Sequence, residues 1–177
     1  MATIDVYVVD VSTFDLTMFL DGALTWADTG ILSVRNMVAK LRKLCRHGDR
    51  IAELRIVGHG SESGQYVGAD WLSLETLPSF RSELSRMHPL FVRGGIGRRP
   101  SVVMGGCRQG RNPSLLLALS RIWNVPVSGF TALQRPAWPG DEGGRTTCYI
   151  TCTRQGRTVA DTIDEAQLRI MHRLGLR

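Results

Sequence analysis

Cysteine is scarce in this chain: four in 177 residues, Cys45, Cys107, Cys148 and Cys152, with no CxxC pair. That spacing excludes a disulfide framework and points to reduced thiols in a cytosol-like compartment. Cys148 and Cys152 would share one face of a strand, as small core residues, and no matching Cys/His pair sits at metal-ligand spacing, so no metal is expected. No apolar run approaches eighteen residues, which argues against a membrane-spanning helix and a membrane partner. The N-terminus lacks the basic-then-apolar layout of a signal peptide, since Met1-Ala2-Thr3 leads directly into a strand-like stretch holding Asp5 and Asp10. The expected setting is therefore cytoplasmic, in a bacterium or after delivery into a host cell. Aromatic residues are few, 7% of the chain, and no RNA-binding or zinc-finger signature is present, so nucleic acid is not the expected partner. No repeat and no linker divides the chain, and residues 1–177 read as one domain.

What is present is an ordinary apolar fraction, 43%, and a net charge of +6 carried largely by scattered arginines. Hydrophobic spacing alternates between strand and helix. Ile4 to Val11 reads as a first strand and Phe14 to Gly30 as a mixed loop or hairpin region. A helix follows from the Ser33 cap to a stop at Gly48, with Val34, Met37, Val38, Leu41, Leu44 and Cys45 on one face. Leu54 to Gly58 is a second central strand, and Gln65 to Val67 a short extended stretch. A helix near Pro78 buries Leu77, Phe80, Leu84 and Met87. Ser101 to Met104 is a third central strand, short and apolar. Asn112-Pro113 opens a leucine-rich helix with Trp123 in the core. Val125 to Phe130 is a fourth strand, and a hairpin turned by Arg154-Gln155-Gly156 precedes a last amphipathic helix from Ile163 to Leu174. This alternation predicts an α/β domain of three layers, αβα, with a mostly parallel central sheet.

In a parallel sheet all strand C-termini point to one edge, where ligands collect. Ile56-Val57-Gly58-His59-Gly60 and Val102-Val103-Met104-Gly105-Gly106-Cys107 each end such a strand. An imidazole and a thiol would meet at that edge, since neighbouring strands lie about 4.8 Å apart. This is the pairing that a cysteine nucleophile and its proton carrier require. The flanking glycines leave the cleft floor bare for a substrate backbone. The backbone N–H groups of Gly60 and Cys107 are the candidate oxyanion donors. An imidazolium and the N-terminus of the Asn112 helix would both favour the thiolate. Gly94 to Arg99 is glycine-rich but lacks a GK[ST] ending, and reads as a basic turn. His47, His88 and His172 read as surface or capping residues.

The two blocks, apolar strand plus His59-Gly60 and apolar strand plus Gly106-Cys107 about fifty residues on, resemble clan CD of cysteine peptidases, the caspases, legumain and gingipains among them. The resemblance is closest to the self-processing cysteine peptidase domains of bacterial toxins and covers roughly residues 51 to 135. It implies a caspase-like fold, an endopeptidase acting on polypeptide substrates and possible self-cleavage, with His59 and Cys107 as a dyad and no cofactor. The caspase signature has Gln-Ala before its cysteine; here Gly105-Gly106 precede Cys107, so strict aspartate specificity is not implied. The resemblance also implies a substrate groove bordered by Asp10, Ser128, Thr131, Trp138 and Asp141. An aspartate lining the pocket for the residue before the scissile bond would select a basic side chain there, and its absence an apolar one. The toxin-domain relatives are activated by an inositol phosphate, which the arginine-rich surface of this chain permits. Two other readings stand beside the peptidase. One is a non-catalytic module on the same scaffold whose basic groove takes an acidic protein, a phosphate-rich ligand or nucleic acid. The other is a different thiol chemistry, such as a transferase or deamidase.

Overall fold

In a computed structural model the structure describes residues 2–12, 29–93, 100–131, 147–156 and 158–163, and the side chains of all of these except 29, 147–150 and 158–163. The chain runs β1 (Thr3–Asp10), β2 (Thr29–Ile31), α1 (Val34–Leu44), β3 (Arg50–Val57), β4 (Gly64–Val67), β5 (Asp70–Ser73) and α2 (Leu77–Ser85). It continues with β6 (Ser101–Met104), α3 (Pro113–Trp123), β7 (Val127–Phe130), β8 (Thr147–Cys152) and β9 (Thr158–Ile163). The main sheet has the order β2-β1-β3-β6-β7-β8-β9. It is parallel from β2 to β7, and β8 and β9 add to one side as an antiparallel hairpin. β4 and β5 form a separate antiparallel hairpin. The protein is thus α/β with a mostly parallel central sheet.

Local chemistry explains the element boundaries. The Ser33 side chain accepts from the Asn36 N–H at 3.0 Å, capping α1. That helix passes into a 3-10 turn, Cys45–His47, and stops at Gly48, whose φ of 90° suits a residue without Cβ. Asn112 caps α3 through the Leu115 N–H at 3.1 Å, with Pro113 in the first turn, where no N–H is missed. One face of the sheet presents Val6, Val8, Leu54, Ile56, Val102, Met104 and Val127, all buried. Against it pack Met37, Leu41, Leu84, Leu115, Leu119 and Trp123. Each such side chain contributes about 1.5–3 kcal/mol on burial. The Trp123 ring donates its Nε1–H to the Leu84 carbonyl at 3.1 Å, joining α3 to α2. Arg35 on α1 pairs with Glu83 on α2 at 3.8 Å, so the three described helices lie side by side on one face.

The opposite face differs in character. Tyr7, Glu53, Arg55 and Val57 are half-buried there, with Arg55 bonded to Glu53 at 2.6 Å and stacked 5.0 Å from the Tyr7 ring. These polar residues explain why β3 is longer than its apolar segment: it starts at Arg50, paired with Thr3. The extended stretch at Gln65 is one arm of the β4–β5 hairpin, whose second arm, Asp70–Ser73, carries no strand pattern of its own. The last two residues of the expected mixed region, 29 and 30, form with Ile31 a strand beside β1. Leu44 is exposed where the helical spacing placed it in the core, because it falls on the flank of the stripe centred on Val34, Val38, Leu41 and Cys45. Ile163 closes β9 and does not open a helix; the rest of the expected final helix lies outside the described residues, as do Gly94 to Arg99 and His172. Among the described residues no helix is long and apolar enough to cross a membrane.

Candidate active site

β3 and β6 are adjacent and parallel, with Ile56 opposite Met104. The Gly105 N–H donates to the Ile56 carbonyl at 2.8 Å, carrying the ladder one residue further. His59 and Cys107 each stand three residues beyond the Ile56–Met104 pair, on the same edge of the sheet. His59 is exposed and Cys107 half-buried. The two loops then touch: a Cβ built on Gly60 would lie 3.2 Å from the Cys107 nitrogen and 3.0 Å from the Gly106 Cα. A side chain there would fill the space between the loops. Gly60 and the Cys107 amide, the predicted oxyanion donors, are therefore neighbours.

The β4–β5 hairpin folds back onto this junction. The Tyr66 N–H donates to the His59 carbonyl at 2.8 Å, and Gly60 pairs with Gln65 in an antiparallel bridge. The Gln65 side chain, fully buried, donates to the Ile56 carbonyl at 2.7 Å and accepts the Gly106 N–H at 2.8 Å. Gln109, also fully buried, donates to the Ser61 carbonyl at 2.6 Å and to that of Gly64. Glu62, on the histidine loop, accepts Arg111 at 2.9 Å and faces Arg108 at 3.6 Å, both from the cysteine loop. Arg108 follows Cys107 in the left-handed region, φ 58°, which costs a non-glycine residue about 1 kcal/mol or more. The turn holding the thiol is thus strained and strapped from both sides.

The predicted groove residues fall in several places. Asp10 ends β1, the strand next to β3, and is 1% exposed. Its Oδ1 accepts the Ser12 N–H at 2.8 Å and hydroxyl at 2.6 Å, while Oδ2 is buried without a hydrogen bond. A Cβ on Gly58 would stand 3.5 Å from the Asp10 Cβ, so Asp10 belongs to the His59 edge. Thr131 follows β7 on the same edge, its carbonyl accepting Arg111 Nε–H at 2.9 Å. Ser128 lies further back, opposite Val103, and its hydroxyl meets that of Thr151 at 2.8 Å. Trp138 and Asp141 lie outside the described residues.

The other thiols contrast with Cys107. Cys45 is buried, and burial pushes its thiol pKa above the ordinary value; Arg50 pulls it down and Asp49 adds to the rise. Cys152 is 1% exposed, with its Sγ 3.4 Å from the Pro113 carbonyl. Among the described residues no group of three His, Cys, Asp or Glu side chains could hold a metal ion. His47 and His88 are exposed, as their positions predicted, and Trp123 is in the core. A cleft of about 670 Å³ opens at the opposite edge of the sheet, before β6 and β7, lined by His88, Phe91, Arg93, Trp123 and Arg154 among others.

Comparison with protein-family models, curated proteins and solved structures gives no match for this chain. Its function is therefore read from the geometry of the site. Sequence reasoning missed Gln65, Gln109 and Glu62. Gln65 had one visible sign, its period-two partner Val67, which is fully buried on the same face of β4. Gln109 and Glu62 had none, because their partners are tens of residues away.

Proposed function

We propose that this chain is a cysteine endopeptidase of the clan CD kind, with a caspase-like fold and a His59–Cys107 dyad. One observation carries the reading: histidine and cysteine stand at equal offset beyond paired residues of adjacent parallel strands, on loops in direct contact. The Cys107 thiolate attacks the scissile carbonyl carbon, and the Gly60 and Cys107 amides receive the developing oxyanion. As the C–N bond breaks, His59 gives a proton to the leaving amine. Water then adds to the thioester, His59 takes its proton, and the acid product leaves with the thiol restored.

Asp10 supports a preference at the residue before the scissile bond. A buried carboxylate oxygen without a partner is costly. A lysine or arginine side chain entering between the ends of β1 and β3 would supply that partner. The test is a peptide library incubated with the purified protein and read by mass. Cleavage after basic residues, lost in Cys107→Ala and His59→Ala, is the expected outcome. Both variants cutting at the parent rate would remove the dyad. Cleavage after apolar residues would remove Asp10 from the specificity pocket, and a mass gain without cleavage would replace hydrolysis by group transfer.

A binding module with a basic groove has one observation in its favour, the cleft bearing Arg93 and Arg154 at the other edge. It predicts binding of an acidic protein, a phosphate-rich ligand such as an inositol phosphate, or nucleic acid, undiminished in Cys107→Ala. The same library separates the two, since a module cleaves nothing.

A further inference from the structure

We infer that Gln65 is a positioning residue for the dyad, with Gln109 its counterpart on the facing loop; the inference rests on the peptidase reading. The Gln65 amide bonds to backbone on both sides. It reaches Ile56, three residues before His59, and Gly106, immediately before Cys107. Gln109, two residues after Cys107, reaches back to Ser61, two residues after His59, and to Gly64. One brace runs from the hairpin to the cysteine turn and the other from the cysteine turn to the hairpin. Beyond Val57 and Gly105 no sheet ladder among the described residues joins the histidine loop to the cysteine turn; direct packing at Gly60, the two amides and the pairs of Glu62 with Arg108 and Arg111 hold them together instead.

The choice of residue follows from the chemistry. A primary amide donates from one atom and accepts at another, so it can bridge a carbonyl and an N–H at once, and it stays neutral across the pH range in which an imidazole titrates. A carboxylate in place of Gln65 would face the Ile56 carbonyl with no proton to share. A methionine would fill the space and leave the buried Gly106 N–H unpaired. Gln109 Oε1 is already buried without a partner. An amide serving packing alone has no need of that unsatisfied oxygen, whereas one held by its two donated bonds must accept it.

The test reads alkylation of Cys107 by iodoacetamide against pH, which needs no peptide substrate. The parent and His59→Ala come first. If His59→Ala leaves the Cys107 profile unchanged, the peptidase reading fails, and this inference with it. With the imidazole dependence present, Gln65→Met is expected to slow alkylation about 100-fold, the scale of a misplaced reacting group, while circular dichroism shows the parent fold. Gln65→Glu is expected to slow it less. Its rate relative to the parent should rise as pH falls, because the protonated carboxyl again donates to Ile56. A purely structural role would lower stability without that pH signature. Folded Gln65→Met and Gln65→Glu proteins with the parent profile would overturn the inference and leave the dyad standing. Failure of both variants to fold would overturn it too, assigning Gln65 to folding.

Discussion

The two edges of the central sheet are built from opposite materials. At the edge where β3 and β6 end, glycines floor the junction, Gly58, Gly60, Gly105 and Gly106, braced by two buried glutamines and strapped by Glu62 to Arg108 and Arg111. At the edge where β6 and β7 begin, bulky and basic side chains, Phe91, Trp123, Arg93 and Arg154, surround an open cleft. Among the described residues the cleft edge carries no thiol, and the junction beside Cys107 is lined largely by backbone. A site that acts on a peptide bond needs bare main chain and aimed N–H groups more than it needs a deep pocket.

Substitutions at the two edges should separate activity from stability. His59→Ala is expected to reduce peptide cleavage about 10²–10⁴-fold, the usual contribution of a positioned acid–base group, with little change in urea midpoint. Equal loss of activity in an Arg93→Ala, Arg154→Ala double variant would break the contrast. Trp123→Ala, at the cleft edge, should cost about 3–5 kcal/mol of stability by urea unfolding. Alkylation of Cys107 should keep the parent rate while that protein remains folded. Gly106→Ala sharpens the comparison further, because its Cβ would stand 2.7 Å from Gln65 Oε1 and displace the brace. A loss of about 1–3 kcal/mol is expected from such overpacking. Here a slower Cys107 alkylation should accompany the loss, unlike in Trp123→Ala.

The smallest effect concerns pH. The Cys45 thiol pKa is raised in the folded protein, so above its ordinary range the unfolded chain sheds the proton first. Its contribution to stability is whole below the unfolded pKa and is lost as pH rises through the folded one. Cys45→Ala should therefore show a shallower fall of urea midpoint with pH on the alkaline side than the parent. An unchanged slope would mean that other groups set it.

Local signals were legible wherever one residue's chemistry decides the outcome. Ser33 and the Asn112-Pro113 pair name two helix starts, because a cap needs only its own side chain and the next turn. The apolar blocks before His59 and Cys107 name two strands of the sheet. Arg50, Glu53 and Arg55 hid half of β3, since a strand whose second face carries polar residues does not read as continuously apolar. The Asp70–Ser73 arm was invisible for another reason: its partner, Gly64–Val67, supplies the register.

For the candidate site, the sequence by itself determined the histidine and the cysteine, their order and the glycines beside them. It also set the direction of travel, since crossovers between parallel strands return each chain end to one edge. Only the tertiary structure decided that β3 and β6 are neighbours, so that His59 and Cys107 share a register and not merely an edge. It alone placed Asp10 against Gly58 and drew Gln65 and Gln109 into the junction. The reason is physical. Caps and periodicity act within one or two turns of chain, whereas a buried amide finds its partners some forty residues away, after the sheet has formed.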